Sequence, residues 1–414
     1  MDFSKKSCLL VDHGLNLWLA LRLAQDFGKV RYWTPWATAF PDIKGAAIGS
    51  GFNEIERVED LDDYLDDTEL IICPDNYFGS WANEQRRLGR RVWGAGDSEK
   101  LELDRWLIRN LQSHRGMPTP GTEQITGMEA LERYCAKHPE TFIKLSRYRG
   151  LRETFKAANF ETLKIDLLNG LGPFREEFKF LAEEKIDGVE IGCDTWVING
   201  EYPSRVLAGI EVKDCGYVGR VFDYPDLWET VRDCNAGVAP AFKKLGGATF
   251  YSNELRVAED DRKGYLIDMT VRMPIPPGPC YGKLWSNLSE IIYAGAEGRL
   301  VVPEPTAKYA VLARIHCPYA AKHWVKVDVE KEAWPYVAFS NAVKVNDELW
   351  IAPQPHESIE IGDVIATGES LKECEATIKE VSKMISGHDV DIQEAAVKQA
   401  EDAFEKAAEL GIEF

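Results

Sequence analysis

The sequence of 414 residues lacks the short motifs that identify several large enzyme classes. It contains no G-x-x-x-x-G-K-[ST] phosphate loop, no G-x-S-x-G nucleophile elbow and no H-E-x-x-H zinc motif. Gly49-Ser50-Gly51 lacks the third glycine of a dinucleotide-binding fingerprint, and no zinc-spaced set of cysteines and histidines occurs. These absences argue against a P-loop enzyme, a serine hydrolase, a zinc enzyme and a nicotinamide dehydrogenase.

Positive charge and long apolar runs are also scarce. The 49 Lys and Arg residues stand against 68 Asp and Glu residues, which gives a net charge of −19. Such a surface repels phosphate backbones and anionic lipid, so polymeric nucleic acid and membrane surfaces are disfavoured as partners. No apolar run approaches the ~18 residues of a membrane helix, and no secretory segment follows Met1 to Lys6. Nine scattered cysteines without a C-x-x-C pair are typical of reduced thiols, so we predict a cytoplasmic protein.

The first hundred residues alternate between short apolar strands and amphipathic helices. Strands are predicted at Ser7 to Val11, Lys29 to Trp33, Leu70 to Cys73 and Arg91 to Trp93, with a helix over 15–27. This alternation is typical of βαβ units in a parallel sheet. We therefore predict an α/β (α+β) fold with an N-terminal parallel-sheet domain.

The remaining chain mixes helices with strands and becomes strand-rich towards its end. A helix is predicted after Gly94-Ala95-Gly96, and Leu103, Leu107 and Leu111 lie on one face of it, here called the leucine face. Extended runs cover 141–145, 178–184, 189–199 and 205–212. The last helix, Ile392 to Leu410, is predicted to pack on the core.

Phe142-Ile143-Lys144 is the first of three segments that suggest chemistry. A buried strand ends here in a lysine, and the following loop, 146–152, carries Arg147, Arg149 and Arg152. Cations on such a loop can close over a polyphosphate and neutralise charge while a phosphoryl group moves. Taken alone, a lysine in the position of Lys144 is more often a solvated residue at the end of a strand.

The second segment runs from Phe180 to Glu190 and pairs a strand end with carboxylates. Glu183 and Glu190 are seven residues apart, with exposed backbone predicted between them. Backbone groups and one carboxylate can take the edge of a purine, while the second carboxylate can take ribose hydroxyls. The pattern therefore suits an adenosine, although the two glutamates alone could be edge-strand charges.

The third segment is a predicted antiparallel hairpin around Glu259 to Gly264. The numbers of Glu254 and Asp268 average 261, so we expect these residues to face each other. Alternation with period 2 then places Arg256, Thr270 and Arg272 on the same face. Facing carboxylates are destabilising unless cations neutralise them, which Mg²⁺ bound to nucleotide phosphates would do. Arg256 and Arg272 are the alternative source of neutralisation.

In order and spacing, these segments resemble the ATP-grasp superfamily, and within it the phosphoribosylamine–glycine ligase family and related carboxylate–amine ligases. Phe142-Ile143-Lys144 resembles "viK", Ala182 to Glu190 resembles "iEEfldGeE", and Leu266 to Arg272 resembles "vlEfNvR". Met117-Pro118-Thr119-Pro120 resembles "gIPTP". The resemblance covers nearly the whole chain. It implies an ATP-grasp fold with an N-terminal domain at 1–96, an ATP-binding region at 97–298 and a C-terminal β-rich domain at 299–414.

The resemblance also implies roles for particular residues. ATP would be held by Lys144 at the α-phosphate, by Glu190 at the ribose, and at the adenine by Glu183 or Glu184 with Lys185 and Ile186. Magnesium or manganese would be bound by Glu254, Asp268 and Thr270. Arg272 would steady the γ-phosphate or an acyl phosphate, and Arg152 stands where the family has its loop lysine.

The implied activity is an ATP-dependent, ADP-forming carboxylate–amine ligase. Its partners would be a small carboxylate (an amino acid such as glycine, by analogy with the family) and an amine; an oligomer is compatible with the sequence. Thr270 in place of asparagine and the arginine-rich loop depart from the family pattern. They leave open two alternatives, a small-molecule kinase and a catalytically silent nucleotide-binding scaffold. Arg147, Arg149, Arg205 and Arg220 either hold a phosphorylated substrate or balance neighbouring carboxylates.

Overall fold

The computed structural model describes residues 1–35, 47–146, 154–353 and 358–414. Within these ranges the helices are α1 (Leu17–Leu23), α2 (Gly79–Arg87), α3 (Lys100–Leu103), α4 (Arg105–His114), α5 (Met128–Cys135), α6 (Phe160–Leu171), α7 (Glu229–Leu245), α8 (Gly278–Leu284), α9 (Leu288–Ala296), α10 (Leu371–Ser382) and α11 (Ala396–Glu409). The strands are β1 (Ser7–Val11), β2 (Lys29–Trp33), β3 (Glu56–Arg57), β4 (Leu70–Ile72), β5 (Val92–Trp93), β6 (Thr122–Thr126), β7 (Phe142–Leu145), β8 (Thr154–Lys156), β9 (Lys179–Glu183), β10 (Gly188–Ile198), β11 (Arg205–Val212), β12 (Gly216–Asp223), β13 (Ala248–Ala258), β14 (Gly264–Thr270), β15 (Tyr309–His316), β16 (Val325–Val329), β17 (Val337–Phe339), β18 (Ala342–Val345), β19 (Glu348–Ile351), β20 (Glu360–Gly368), β21 (Ile385–Gly387) and β22 (Asp391–Ile392).

The N-terminal sheet is parallel throughout and has the order β3-β2-β1-β4-β5. Its central strands are apolar on both faces, and Leu9, Leu10, Ile71 and Ile72 are fully buried. This confirms the predicted N-terminal parallel sheet. The order reverses between β1 and β4, so the loops that follow these two strands border a crevice at the carboxyl edge of the sheet.

A four-stranded antiparallel sheet, β6-β9-β7-β8, contains Phe142 to Lys144 of the first predicted segment and Phe180 to Glu183 of the second. Glu190 of the second segment lies on β10. Strand β7 pairs with β9 so that Lys144 lies opposite Leu181 and Phe142 lies opposite Glu183. Ile143 and Phe180 are buried in a core with side chains of α5 and α6. This pairing brings Lys144 and Glu183, 39 positions apart in the sequence numbering, to one edge of the sheet.

The largest sheet has nine strands and the main order β14-β13-β10-β11-β12-β15-β20-β17, with β22 paired to β15. Strands from both sides of position 298 belong to it, because β15 hydrogen-bonds to β12 as well as to β20. The sheet is therefore continuous across one of the predicted domain boundaries. The divisions 1–96, 97–298 and 299–414 remain predictions.

The helix predicted after Gly94-Ala95-Gly96 is formed by α3 and α4, and α4 turns a mostly polar face into the protein. Leu107 of the leucine face is 39% exposed, whereas Arg105, Ile108, Arg109 and Gln112 are buried. Apolar periodicity alone is misleading here, since the helix turns its polar side towards a set of buried carboxylates described below. The burial of two arginines on one helix requires such partners.

The expectations for the C-terminus and the cysteines are confirmed. Helix α11 packs with Ala400 and Ala407 fully buried, as predicted for a capping helix. Helix α10 begins after Ser370, whose hydroxyl oxygen accepts a hydrogen bond from the Glu373 backbone at 3.3 Å. All nine cysteines are buried free thiols. Along the described ranges, no helix combines the length and apolar character needed to cross a membrane.

Candidate ATP-binding and catalytic site

The predicted hairpin is formed by β13 and β14, and its register places Glu254 opposite Asp268 and Ser252 opposite Thr270. The predicted pairing is confirmed. A bulge follows Glu254, so Arg256 lies opposite Tyr265. The two carboxylates therefore face each other without Arg256 between them.

Asp268 is neutralised by an arginine that sequence reasoning missed. Arg105, the first residue of α4, is buried and forms an ion pair with the Asp268 carboxylate. The carboxylate of Asp104 caps the helix by accepting hydrogen bonds from the backbone of Trp106 and Leu107 at 3.1 and 3.0 Å. Burial raises the pKa of Asp268, but the charges of Arg105 and Lys144 outweigh burial and lower it.

One helical turn further along α4, Arg109 holds Glu183. Its guanidinium grips both carboxylate oxygens, with Nη2 at 2.9 Å from Oε2. It also donates to the backbone oxygens of Leu266 and Ile267 on β14, at 2.9 and 2.7 Å. Arg109 therefore ties α4, β9 and β14 together. The spacing of Arg105 and Arg109, i and i+4, was the available sequence signal.

Lys144 lies in the same cluster, as its predicted role requires. Its Nζ is 3.0 Å from Glu183 Oε2 and donates to the backbone oxygen of Ile267. Burial, helped by the nearby arginines and opposed by Glu183, lowers the pKa of Lys144. The pKa of Glu183 is raised by burial, but Lys144 and Arg109 reverse the effect and lower it. We define Arg105, Arg109 and Lys144 as the cationic cluster.

The residues after β9 are divided between this cluster and solvent. Glu183 is engaged by Lys144 and Arg109, whereas Glu184 and Lys185 are exposed and Ile186 is half-buried. The Glu184 backbone donates to Gly121 at 2.9 Å, which fixes the course of the strand end. Of the two glutamates that the sequence left as alternatives at the adenine, Glu184 is the one with a carboxylate open to solvent.

Several carboxylates lie on the floor of the site, on neighbouring strands β10, β11 and β13. The residues lining one cavity there include Glu190, Asp194, Glu211, Glu254 and Thr270. Gly209 and Tyr217 also line this cavity. A larger residue would not fit at position 209, because its Cβ would lie 2.5 Å from the Tyr217 hydroxyl oxygen. Glu211 was not anticipated from the sequence.

The carboxylates on this floor repel one another unless cations lie between them. Burial, together with the charges of Asp268, Glu190 and Glu211, raises the pKa of Glu254 well above its usual range. Glu190 has its own partner, Arg256, at 2.5 Å. Glu254 is thus the carboxylate that most needs a cation.

The buried carboxylate of Asp194 is expected to make the stability of the fold depend on pH. Its carboxylate accepts hydrogen bonds from the hydroxyls of Tyr217 at 2.5 Å and Ser252 at 2.7 Å, and burial raises its pKa to about 6. A raised acid pKa means that this group stabilises the fold at low pH and loses that contribution as pH rises from about 4 to about 6. An asparagine at this position does not titrate, so D194N should not show this loss. Between pH 4 and pH 7, the difference in free energy of unfolding between D194N and wild type should therefore shift by about 3 kcal/mol in favour of D194N.

Denaturant unfolding at both pH values measures this gain. D226N, at an exposed aspartate, is the matched control, and its difference from wild type should change much less with pH. A D194N difference that does not vary with pH would contradict the argument.

Arg272 lies just beyond β14 and is held by carboxylates of the N-terminal half. Its Nε is 3.0 Å from Glu102 Oε1 and 3.9 Å from Asp75 Oδ1. Glu102 also accepts from the Val271 backbone at 2.6 Å. Burial lowers the pKa of Arg272, but Glu102 and Asp75 outweigh it, so the pKa is raised and the charge is permanent.

Of the other predicted arginines, Arg205 and Arg220 lie within the described residues. Arg152, with Arg147 and Arg149, lies outside the described residues. Arg205 pairs with Asp223 at 2.9 Å, in line with the alternative that it balances a neighbouring carboxylate. Arg220 lies over the ring of Phe222 at 4.9 Å.

A magnesium site made of protein groups alone is not formed here. Within the described ranges, no three Asp, Glu, His or Cys side chains are grouped closely enough to hold a metal ion by themselves. The predicted donors Glu254, Asp268 and Thr270 are all oxygen ligands, with the two carboxylates paired across the hairpin. This set suits Mg²⁺, which is commonly bound by one or two carboxylates together with substrate phosphates and water.

No protein-family profile and no curated protein sequence matches this chain. Its structure is similar to that of phosphoribosylamine–glycine ligase from Thermotoga maritima, with a TM-score of 0.70 and 15% identity over 94% of this chain and 98% of the other. It is also similar to the biotin carboxylase domain of 2-oxoglutarate carboxylase from Hydrogenobacter thermophilus, solved with MgADP, ADP and bicarbonate (TM-score 0.65, 14% identity, 98% of both chains). L-amino acid ligase from Bacillus licheniformis gives a TM-score of 0.58 and 16% identity over 93% of this chain and 98% of that one. The architecture and these likenesses show that the chain has the ATP-grasp fold.

Proposed function

We propose that the protein is an ATP-dependent carboxylate–amine ligase. The observation that carries this proposal is the meeting of the cationic cluster with the facing carboxylates Glu254 and Asp268 in one site of an ATP-grasp fold. A phosphoryl-transfer site needs fixed positive charges that bind the phosphates, and it needs carboxylates that bind the metal ion. The three similar proteins described above are, by name, a phosphoribosylamine–glycine ligase, the biotin carboxylase domain of a 2-oxoglutarate carboxylase, and an L-amino acid ligase.

In the proposed reaction, the chain positions three substrates, ATP, a carboxylate and an amine, and neutralises charge. Lys144 and Arg272 bind phosphate oxygens, and Glu184 with the strand end at 183–186 orients the adenine. Glu254, Asp268 and Thr270 would hold Mg²⁺, which when bound offsets the negative charge of the phosphates. Arg272 is already charged and fixed by Glu102, so it requires no reorganisation when a negative acyl phosphate forms beside it.

The products follow from this arrangement. The substrate carboxylate attacks the γ-phosphorus, ADP leaves, and an acyl phosphate results. An amine then replaces phosphate at the carbonyl carbon and forms an amide. We propose an amino acid, glycine among them, as the carboxylate, because two of the similar structures are a glycine ligase and an amino acid ligase.

The test is ADP release from Mg-ATP across single amino acids, with hydroxylamine present to trap acyl phosphate as a hydroxamate. We expect release to depend on one or a few amino acids, each yielding its hydroxamate. ADP release with a phosphorylated product that hydroxylamine does not trap would replace the ligase by a small-molecule kinase. ATP binding with no substrate-dependent release would indicate a silent scaffold.

A further inference from the structure

A histidine–aspartate pair lies in the crevice of the N-terminal sheet. His13 follows β1 and Asp75 follows β4, the two strands between which the strand order reverses. Ligands of open parallel sheets bind at the carboxyl edge at such a point. The pair is outside the cationic cluster and has no part in the reaction steps given above.

The geometry of the pair is that of an oriented base. His13 Nδ1 is 2.9 Å from Asp75 Oδ2, and the imidazole stacks on the Phe78 ring with centroids 4.4 Å apart. The Asp75 side chain is 2% exposed, whereas that of His13 is 28% exposed. Among the described residues, no hydrogen bond involves Nε2 of His13. A carboxylate on Nδ1 favours the tautomer in which Nε2 is free to accept a proton.

The loop that carries His13 is held from both sides. The buried carboxylate of Asp12 accepts hydrogen bonds from the backbone of Gly14 at 3.0 Å and of Asn16 at 2.8 Å. The Asn341 backbone donates to the Gly14 oxygen at 2.8 Å. These contacts fix the turn between β1 and α1, so the imidazole is positioned before any substrate arrives.

The pair adjoins the residue proposed to hold the acyl phosphate. Asp75 Oδ1 is 3.9 Å from Arg272 Nε, so one carboxylate faces both His13 and Arg272. The backbone of Met273 donates to the Pro74 oxygen at 2.7 Å, which fastens the segment after β14 to the loop after β4. A base at His13 is therefore next to the place where the amine would attack.

We propose that His13 is the base that deprotonates the amine substrate, with Asp75 as its positioning residue, and that this amine is a primary amine protonated at neutral pH. The inference rests on the proposed ligase function. Nε2 takes one proton from the ammonium group, and the freed electron pair forms the C–N bond at the acyl carbon. The C–O bond to phosphate breaks, phosphate leaves with that electron pair, and the second nitrogen proton passes to the departing phosphate.

The experiment compares two nucleophiles in wild type and in H13N. Hydroxylamine is largely unprotonated at neutral pH and needs no base, whereas ammonium chloride and methylammonium chloride do. We expect H13N to form the hydroxamate at a rate within about twofold of wild type. We expect its amide formation with ammonium or methylammonium at pH 7 to fall by about 100-fold or more, and the deficit to shrink as pH approaches the pKa of the amine.

Variants of Asp75, which positions His13, and of a second histidine, His138, complete the test. D75N should reduce amide formation by about tenfold more than it reduces the hydroxamate, since the base loses its orientation while Arg272 keeps Glu102 as its partner. H138N is the matched control, because His138 also stacks on an aromatic ring, Tyr134, but is exposed and away from the crevice. It should change neither rate.

Three other outcomes would contradict either the role of His13 or the ligase function. Equal losses of hydroxamate and amide in H13N would make His13 a structural or activating residue and overturn the proposal. Hydroxamate without amide from any of the amines in wild type would also overturn it. Absence of hydroxamate in wild type would instead refute the ligase function on which the inference rests.

Discussion

A Glu254→Gln variant is expected to be more stable than the wild-type protein and to lose ADP release by about 100-fold or more, the equivalent of several kcal/mol of lost charge stabilisation. Both effects have one cause. Glu254 faces Asp268 across the hairpin, and its pKa is raised by burial and by the neighbouring carboxylates. A glutamine removes one buried negative charge and, with it, a proposed metal ligand.

The gain in stability is set by the relief of like-charge repulsion. We expect the free energy of unfolding to rise by on the order of 1 kcal/mol at neutral pH, because partly solvated carboxylates repel each other at close range. Thermal unfolding without nucleotide measures the gain, and coupled ADP release measures the loss. A change that raises stability and removes activity is typical of functional residues placed in an unfavourable environment.

Glu259→Gln is the matched control, since it makes the same substitution on the turn of the same hairpin at an exposed site. It should leave both the unfolding temperature and ADP release near the wild-type values. Undiminished ADP release in E254Q would remove Glu254 from the metal site. A less stable E254Q would mean that the carboxylates are held by favourable contacts and not in repulsion.

Arg109→Met is expected to lower the free energy of unfolding by about 3 to 5 kcal/mol. The guanidinium is buried and connects Glu183 with the backbone oxygens of Leu266 and Ile267. Methionine fills similar space, but it leaves a buried carboxylate with Lys144 as its remaining partner. The oxygens of Leu266 and Ile267 each lose one donor and keep another, Gln112 and Lys144 respectively. Denaturant unfolding followed by tryptophan fluorescence gives the measurement.

Two further variants separate charge from geometry at Arg109. R109K keeps the charge but cannot reproduce the two-pronged contact with Glu183, so its stability should lie between wild type and R109M. R133M on α5 is the control, because Arg133 is exposed and 3.9 Å from Glu129. If R109M and R133M unfold alike, the Arg109 network does not hold the site together.

The sequence was informative where short-range rules apply. The strands at Ser7–Val11 and Lys29–Trp33 follow from apolar runs, and the register of Glu254 with Asp268 follows from the midpoint of their turn. Lys144 at the end of a strand was found in the same way. The leucine spacing did not indicate the buried face of α4, because periodicity reports which residues share a face and not which face is buried.

The partners of the charged residues were decided by tertiary structure alone. Arg105 meets Asp268 across 163 positions, and Arg109 meets Glu183 across 74. Glu211 likewise joins the cavity floor because β11 lies beside β10. The sequence determined by itself the local elements, the hairpin pairing and the residue types of the site, because these depend on neighbours within a few positions. Only the packing of α4 against β9 and β14 decided which charges are neutralised and which await a cation, because the energy of a buried ion pair depends on distance in space and not along the chain.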